Sequence, residues 1–108
     1  KKIIIAGDNA EPDFLAKYLE NTDLLIHEAT YTEEVFEKLE TKYLHTTAAN
    51  LAKTTEKFRV KNLIATHISP RFEGEEILEE IKKFYNGNAF VANDFDVFEL
   101  KEELRRVE

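Results

Sequence analysis

Three short apolar runs constrain this chain more than any other feature: Ile3-Ile4-Ile5-Ala6, Leu24-Leu25-Ile26 and Leu63-Ile64-Ala65. A continuous β-branched or aliphatic run is the pattern of a strand covered on both faces. Each run gives way at once to polar residues: Gly7-Asp8-Asn9, His27-Glu28-Ala29-Thr30 and Thr66-His67. Ser69-Pro70 then stops the third run, because proline lacks an amide hydrogen and pushes the residue before it into extended geometry. Arg71 is therefore expected on a turn just past a strand end, with His67 close by. Taken singly, His67 reads as a capping or core histidine, Arg71 as a solvated charge and Asp8 as a helix N-cap.

Between the runs, residue spacing predicts helices. Pro12 with Phe14, Leu15, Tyr18 and Leu19 predicts an amphipathic helix over 11–20. A covering helix is expected over 32–39, with Glu33 and Glu34 in its first turn, where the dipole favours acids. Thr46 and Thr47 are placed to cap a helix continued by Ala48, Leu51, Ala52 and Phe58. His45 falls just before it, a poor place for a protonated imidazole. Ile77, Leu78, Ile81 and Phe84 give the strongest amphipathic pattern, over 76–85, and Asn86-Gly87-Asn88 is expected to end it through left-handed backbone. Ala89–Ala92 and Val97–Leu100 read as strands joined by a turn that accounts for Asp94 and Asp96. The charged tail 101–108 reads as a solvated terminal helix.

The order of elements describes an α/β layer protein with its site along one sheet edge. At 108 residues the chain fits one domain, and it holds no cysteine, which leaves His and carboxylates as the available zinc ligands. No apolar run approaches the ~20 residues of a membrane span. The net charge of −7 argues against nucleic-acid binding by bulk electrostatics, since Lys and Arg supply that affinity, but leaves a local basic site open. The chain starts on Lys1 and enters a buried-looking strand at once, which suggests a fragment.

Four motifs, Gly7-Asp8, Leu24-Leu25-Ile26-His27-Glu28-Ala29-Thr30, His45-Thr46-Thr47-Ala48 and Thr66-His67-Ile68-Ser69-Pro70-Arg71, stand in an order and at separations that resemble the C-terminal half of ribonuclease Z. That family comprises the zinc-dependent tRNA 3′-processing endonucleases of the metallo-β-lactamase superfamily. The resemblance covers residues 3–95. It implies an α/β fold, the C-terminal half of a metallo-β-lactamase-type αββα sandwich with a mixed sheet and covering helices. It also implies a cytoplasmic enzyme acting on precursor tRNA with two zinc ions, or manganese, per complete site. In the site so implied, Asp8 bridges the two ions and His67 binds one of them. His45 passes a proton to the leaving oxygen, Glu28 orients His45, and Arg71, with Ser69 beside it, holds the phosphate near the scissile bond. An arginine suits that place because its fork meets two phosphate oxygens at once.

The chain also departs from the family's pattern. The family's His-x-His-x-Asp-His motif and a further histidine ligand are absent, so 1–108 is expected to hold only part of the metal site and to be inactive alone. Asn9 stands where threonine is usual after Gly-Asp, and Thr46 stands in place of serine. A chain lacking its first half would expose a sheet edge and apolar faces, so a homodimer is expected. Two other readings remain open at this stage: another metallo-β-lactamase-fold phosphodiesterase or hydrolase, and a non-catalytic α/β interaction domain.

Overall fold

The computed structural model describes residues 1–7, 11–39 and 46–107. The three apolar runs become neighbouring strands, β1 (Ile3–Ile5), β2 (Leu24–Glu28) and β3 (Asn62–Thr66), joined by β4 (Asn88–Val91). All three pairings are parallel and the order is β1-β2-β3-β4. Parallel neighbours require crossovers, and helices supply them. A 3-10 turn, Pro12–Leu15, runs into α1 (Ala16–Leu19) between β1 and β2. Helices α2 (Glu33–Glu37) and α3 (Ala48–Lys57) link β2 to β3, and α4 (Gly74–Phe84) links β3 to β4.

Alternation along the strands sorts the side chains into two cores. Leu25, Leu63, Ala65, Ala89 and Val91 pack with Leu19 of α1, Leu51 and Ala52 of α3, and Ile77 and Ile81 of α4. Leu24 and Ile64 form a second cluster with Leu104, against which Ile26, Phe90, Phe98 and Leu100 pack. This other face is covered by an antiparallel ribbon of β5 (Val97–Leu100) and β6 (Leu104–Val107). Phe98 meets Phe90 edge-on at 5.3 Å, and the Arg106 guanidinium lies over both rings while donating to the Val91 carbonyl at 2.6 Å.

The ribbon corrects the reading of the tail as a solvated helix. Leu104 is buried and pairs with Leu100, so the segment alternates inward and outward as a strand does, and 101–103 form the connection. The first helix is also shorter than its spacing predicts. Of its four apolar residues Leu19 is buried and Leu15 half-buried, whereas Phe14 and Tyr18 are 75% and 52% exposed. Helix α4 ends by a different route from the one expected. No glycine has positive φ; Tyr85 turns extended, with φ −127°, and sends its ring into the core. Its hydroxyl donates to the Val60 carbonyl at 2.6 Å. Gly87 matters for space, because a Cβ there would collide with the Tyr85 hydroxyl and ring.

Strand β1 is one edge of the described sheet, and its register places Ile3 and Ile5 on the ribbon-covered face, beside Leu24 and Ile26. The ribbon does not cover them: they are 51% and 74% exposed. No helix among the described residues is long and apolar enough to cross a membrane.

Candidate functional site

Because every pairing in the four-stranded sheet is parallel, the carboxyl ends of β2 and β3 lie on the same edge, where open α/β sheets build sites. Glu28 closes β2 and pairs in register with Thr66, the residue before His67. The loops leaving these strands are tied together by backbone hydrogen bonds. The Ala29 amide donates to the Thr66 carbonyl at 2.9 Å, and the Ser69 amide to the Thr30 carbonyl at 3.0 Å. A third segment joins them, since the Ala48 amide reaches the Tyr31 carbonyl at 2.8 Å and Tyr31 bridges Thr47 in parallel. Glu28, Ser69 and Arg71 are thereby brought onto one braced edge with Thr46.

Glu28 is 2% exposed, an expensive place for a carboxylate without donors. The donors are present: the Thr46 amide at 2.6 Å, the Thr30 amide at 3.2 Å and the Thr30 hydroxyl. Both carboxylate oxygens are engaged, so Glu28 acts as a linker between the loop after β2 and the start of α3. Of the two threonines expected to cap α3, Thr47 does so, accepting from the Asn50 amide at 3.0 Å, while Thr46 gives its amide to Glu28.

His27, next to Glu28, is fully buried and its Nδ1 lies 2.8 Å from the Glu28 carbonyl. A carbonyl can only accept, so Nδ1 carries the hydrogen. Burial lowers its pKa from the ordinary 6.5, against the opposing pull of the Glu28 carbonyl and carboxylate. His67 differs: it is exposed and has φ 56°, left-handed backbone that few non-glycine residues adopt. It stands past the strand end as expected, and its exposure excludes a core role. Arg71 is exposed and its guanidinium lies 5.9 Å from the Tyr31 ring centroid. Tyr31 in turn stands 6.0 Å from the Phe36 ring. Nothing in the residue pattern singles out Tyr31, although it directly follows the His-Glu-Ala-Thr loop.

Asp8 and His45 lie outside the described residues. Among the described residues no three His, Asp or Glu side chains come together to hold a metal ion. A catalytic zinc takes three protein ligands, so the described residues do not by themselves make a zinc site. The cleft beside the start of α3 is lined by Glu11, Glu33 and Glu37, with Lys53 as the one cation among its described residues. Arg71 offers an exposed cation over the Tyr31 ring.

Comparison with known proteins gives this edge its context. No family model matches the chain. Curated relatives do: a ribonuclease Z of Marinobacter nauticus is 32% identical over 113 residues, covering 97% of this chain and 35% of the relative. A ribonuclease Z of Bacillus subtilis is 36% identical over 97 residues, covering 88% of this chain and 31% of the relative. This chain is a homologue of ribonuclease Z. It spans about a third of the length of the ribonuclease Z relatives it matches. Its fold agrees: the metallo-β-lactamase fold protein YhfI from Bacillus subtilis superposes with a TM-score of 0.73 at 20% identity, over 84% of this chain and 36% of that one. The parallel sheet with helices on one face and the ribbon on the other is thus part of a metallo-β-lactamase fold.

Proposed function

We propose that this chain supplies part of the active site of an endoribonuclease that removes 3′ trailers from precursor tRNA. The observation that carries the reading is the braced edge, where Glu28, Thr46, Ser69 and Arg71 are drawn together by hydrogen bonds between three loops. The similarity to ribonuclease Z along nearly the whole chain supports it. In this reading 1–108 is one fragment of a larger metallo-β-lactamase-fold domain in a cytoplasmic protein, inactive alone and completed by segments that carry the remaining metal ligands.

Each residue then has a task suited to its chemistry. Arg71 meets a phosphate beside the scissile bond with two parallel N–H donors, and its cation–π contact with Tyr31 favours one side for the fork. Ser69 fixes the turn that carries Arg71, through the hydrogen bond its amide donates to the Thr30 carbonyl. His45 would give a proton to the departing 3′ oxygen, and Glu28 holds the start of the helix that follows it in sequence. Asp8 and His67 would each supply a ligand toward two zinc ions, or manganese, which polarise the phosphate when bound.

The test is cleavage of a 3′-extended precursor tRNA by the protein in its natural full length, with zinc or manganese, beside Asp8→Ala and His45→Ala. Cleavage at the trailer boundary that is lost in both variants is expected. A folded, metal-loaded protein that leaves the tRNA intact but hydrolyses a small phosphodiester would overturn the tRNA reading in favour of another phosphodiesterase.

A further inference from the structure

The first turn of α3 exposes backbone donors that a helix cannot satisfy internally. Here the amides of Thr46, Ala48, Ala49 and Asn50 each have an acceptor from the protein itself. The Thr46 amide goes to Glu28 at 2.6 Å, the Ala48 amide to the Tyr31 carbonyl at 2.8 Å, and the Asn50 amide to the Thr47 hydroxyl at 3.0 Å. The Ala49 amide goes to Glu80 Oε2 at 2.9 Å. Glu28 and Tyr31 belong to β2 and the loop after it, and Thr47 is the cap of α3. Glu80 comes from the second turn of α4, 31 residues further along the chain.

The same carboxylate also receives the Glu33 amide, at 3.1 Å, where α2 begins. Glu33 closes the arrangement, because its own carboxylate accepts the Thr47 hydroxyl at 2.7 Å. One side chain of α4 thus fastens the starts of α2 and α3 to each other. Charged acceptors make the stronger hydrogen bonds, and the start of α3 carries the positive end of its dipole, so a carboxylate fits this place better than a neutral group.

We propose that Glu80 is a positioning residue for the cleavage step. This rests on the tRNA-processing reading for the reaction, but not for the contact. Glu80 acts at a distance from the substrate; it sets where α3 starts, and so where Thr46 meets Glu28 on the braced edge. Arg71 is carried on a different loop, after β3, which Glu80 does not contact through any of these bonds. Loss of Glu80 therefore loosens the starts of α2 and α3 while leaving the backbone ties of the Arg71 loop, Ala29 to Thr66 and Ser69 to Thr30, in place.

The experiment compares the full-length protein with Glu80→Ala, Glu80→Gln and, as a control on the exposed side of the same helix, Glu79→Ala. With 3′-extended precursor tRNA, Glu80→Ala should lower kcat about tenfold or more while KM stays within about twofold. Glu80→Gln, which keeps one carbonyl acceptor, should recover part of that loss, and Glu79→Ala should resemble the unaltered protein. Amide hydrogen exchange should quicken at Glu33, Thr46 and Ala49 in Glu80→Ala and stay unchanged in β2 and β3. If Glu80→Ala does not fold, Glu80→Gln carries both readouts. A rise in KM in place of a fall in kcat, or exchange at Ala49 equal to that of the unaltered protein, overturns the proposal. If the unaltered protein does not cleave the tRNA, the functional reading fails, and the exchange pattern still decides whether Glu80 holds the start of α3.

Discussion

Glu28 and Thr46, 18 residues apart in sequence, are joined by a 2.6 Å hydrogen bond from the Thr46 amide to a buried carboxylate oxygen. The remaining oxygen holds Thr30, so one side chain locks the loop after β2 to the start of α3. Glu28→Gln has the same shape but replaces an acceptor with a donor, which must face either the Thr46 amide or the Thr30 pair. A buried unsatisfied donor costs roughly 1–3 kcal/mol. We expect Glu28→Gln to lose stability of that order in urea unfolding and to lower cleavage more than it lowers tRNA binding; unchanged stability would show that the carboxylate is dispensable as a linker.

The buried imidazole of His27 makes stability depend on pH. Its folded pKa is lowered by burial, so below about pH 6.5 the unfolded chain takes up a proton that the folded chain refuses. The stabilisation is complete above 6.5 and falls as the pH drops toward the lowered value, by at most about 1.4 kcal/mol per pH unit for one proton. Urea midpoints between pH 7.5 and 5 should fall for the unaltered protein and fall less steeply for His27→Gln. Equal slopes would mean that other groups govern acid sensitivity.

Tyr85 gives the opposite sign at alkaline pH. Burial, reinforced by the nearby Glu56 charge, raises its pKa, so its contribution is complete below about pH 10 and declines above it. Tyr85→Phe orphans the Val60 carbonyl and should cost roughly 1–3 kcal/mol at pH 7. That gap should narrow above pH 10, a trend measurable by thermal melts at a series of pH values.

Stacking of Arg71 on Tyr31 predicts that the two act together on substrate. Tyr31→Ala and Arg71→Lys should each raise KM for precursor tRNA several-fold, with the double variant little worse than Arg71→Lys alone. Additive losses would indicate that the ring does not guide the guanidinium.

Exposed Ile3 and Ile5 on the edge strand make self-association the expected behaviour of the isolated chain. Sedimentation should find a dimer that Ile5→Lys dissociates. A monomer at high concentration would remove β1 as the contact.

The parallel sheet was legible because Ile3–Ile5, Leu24–Ile26 and Leu63–Ala65 carry a pattern that needs no partner to recognise, and the polar residues after them mark the functional edge. Thr47 was legible as a cap because capping is local. Glu80 was not, since on its own helix it is one glutamate among several and its partners lie 31 and 47 residues away. Tyr31 was hidden for the same reason. The tail misled because Leu104 and Val107 are isolated among charges, and only the packing of Leu104 on Leu24 and Ile64 turns that segment into a strand. Gly87 was recognised as a stop, but its reason, room for the Tyr85 ring, follows from packing across the turn.

The left-handed backbone of His67 sets durability against activity. Holding a non-glycine residue at φ 56° costs free energy that a glycine would not incur, of order 1 kcal/mol or more. A glycine there would relieve that backbone cost. Enrichment of variants for heat resistance alone would draw this position toward glycine, and the most robust members of such a library would be the ones that have lost the proposed ligand.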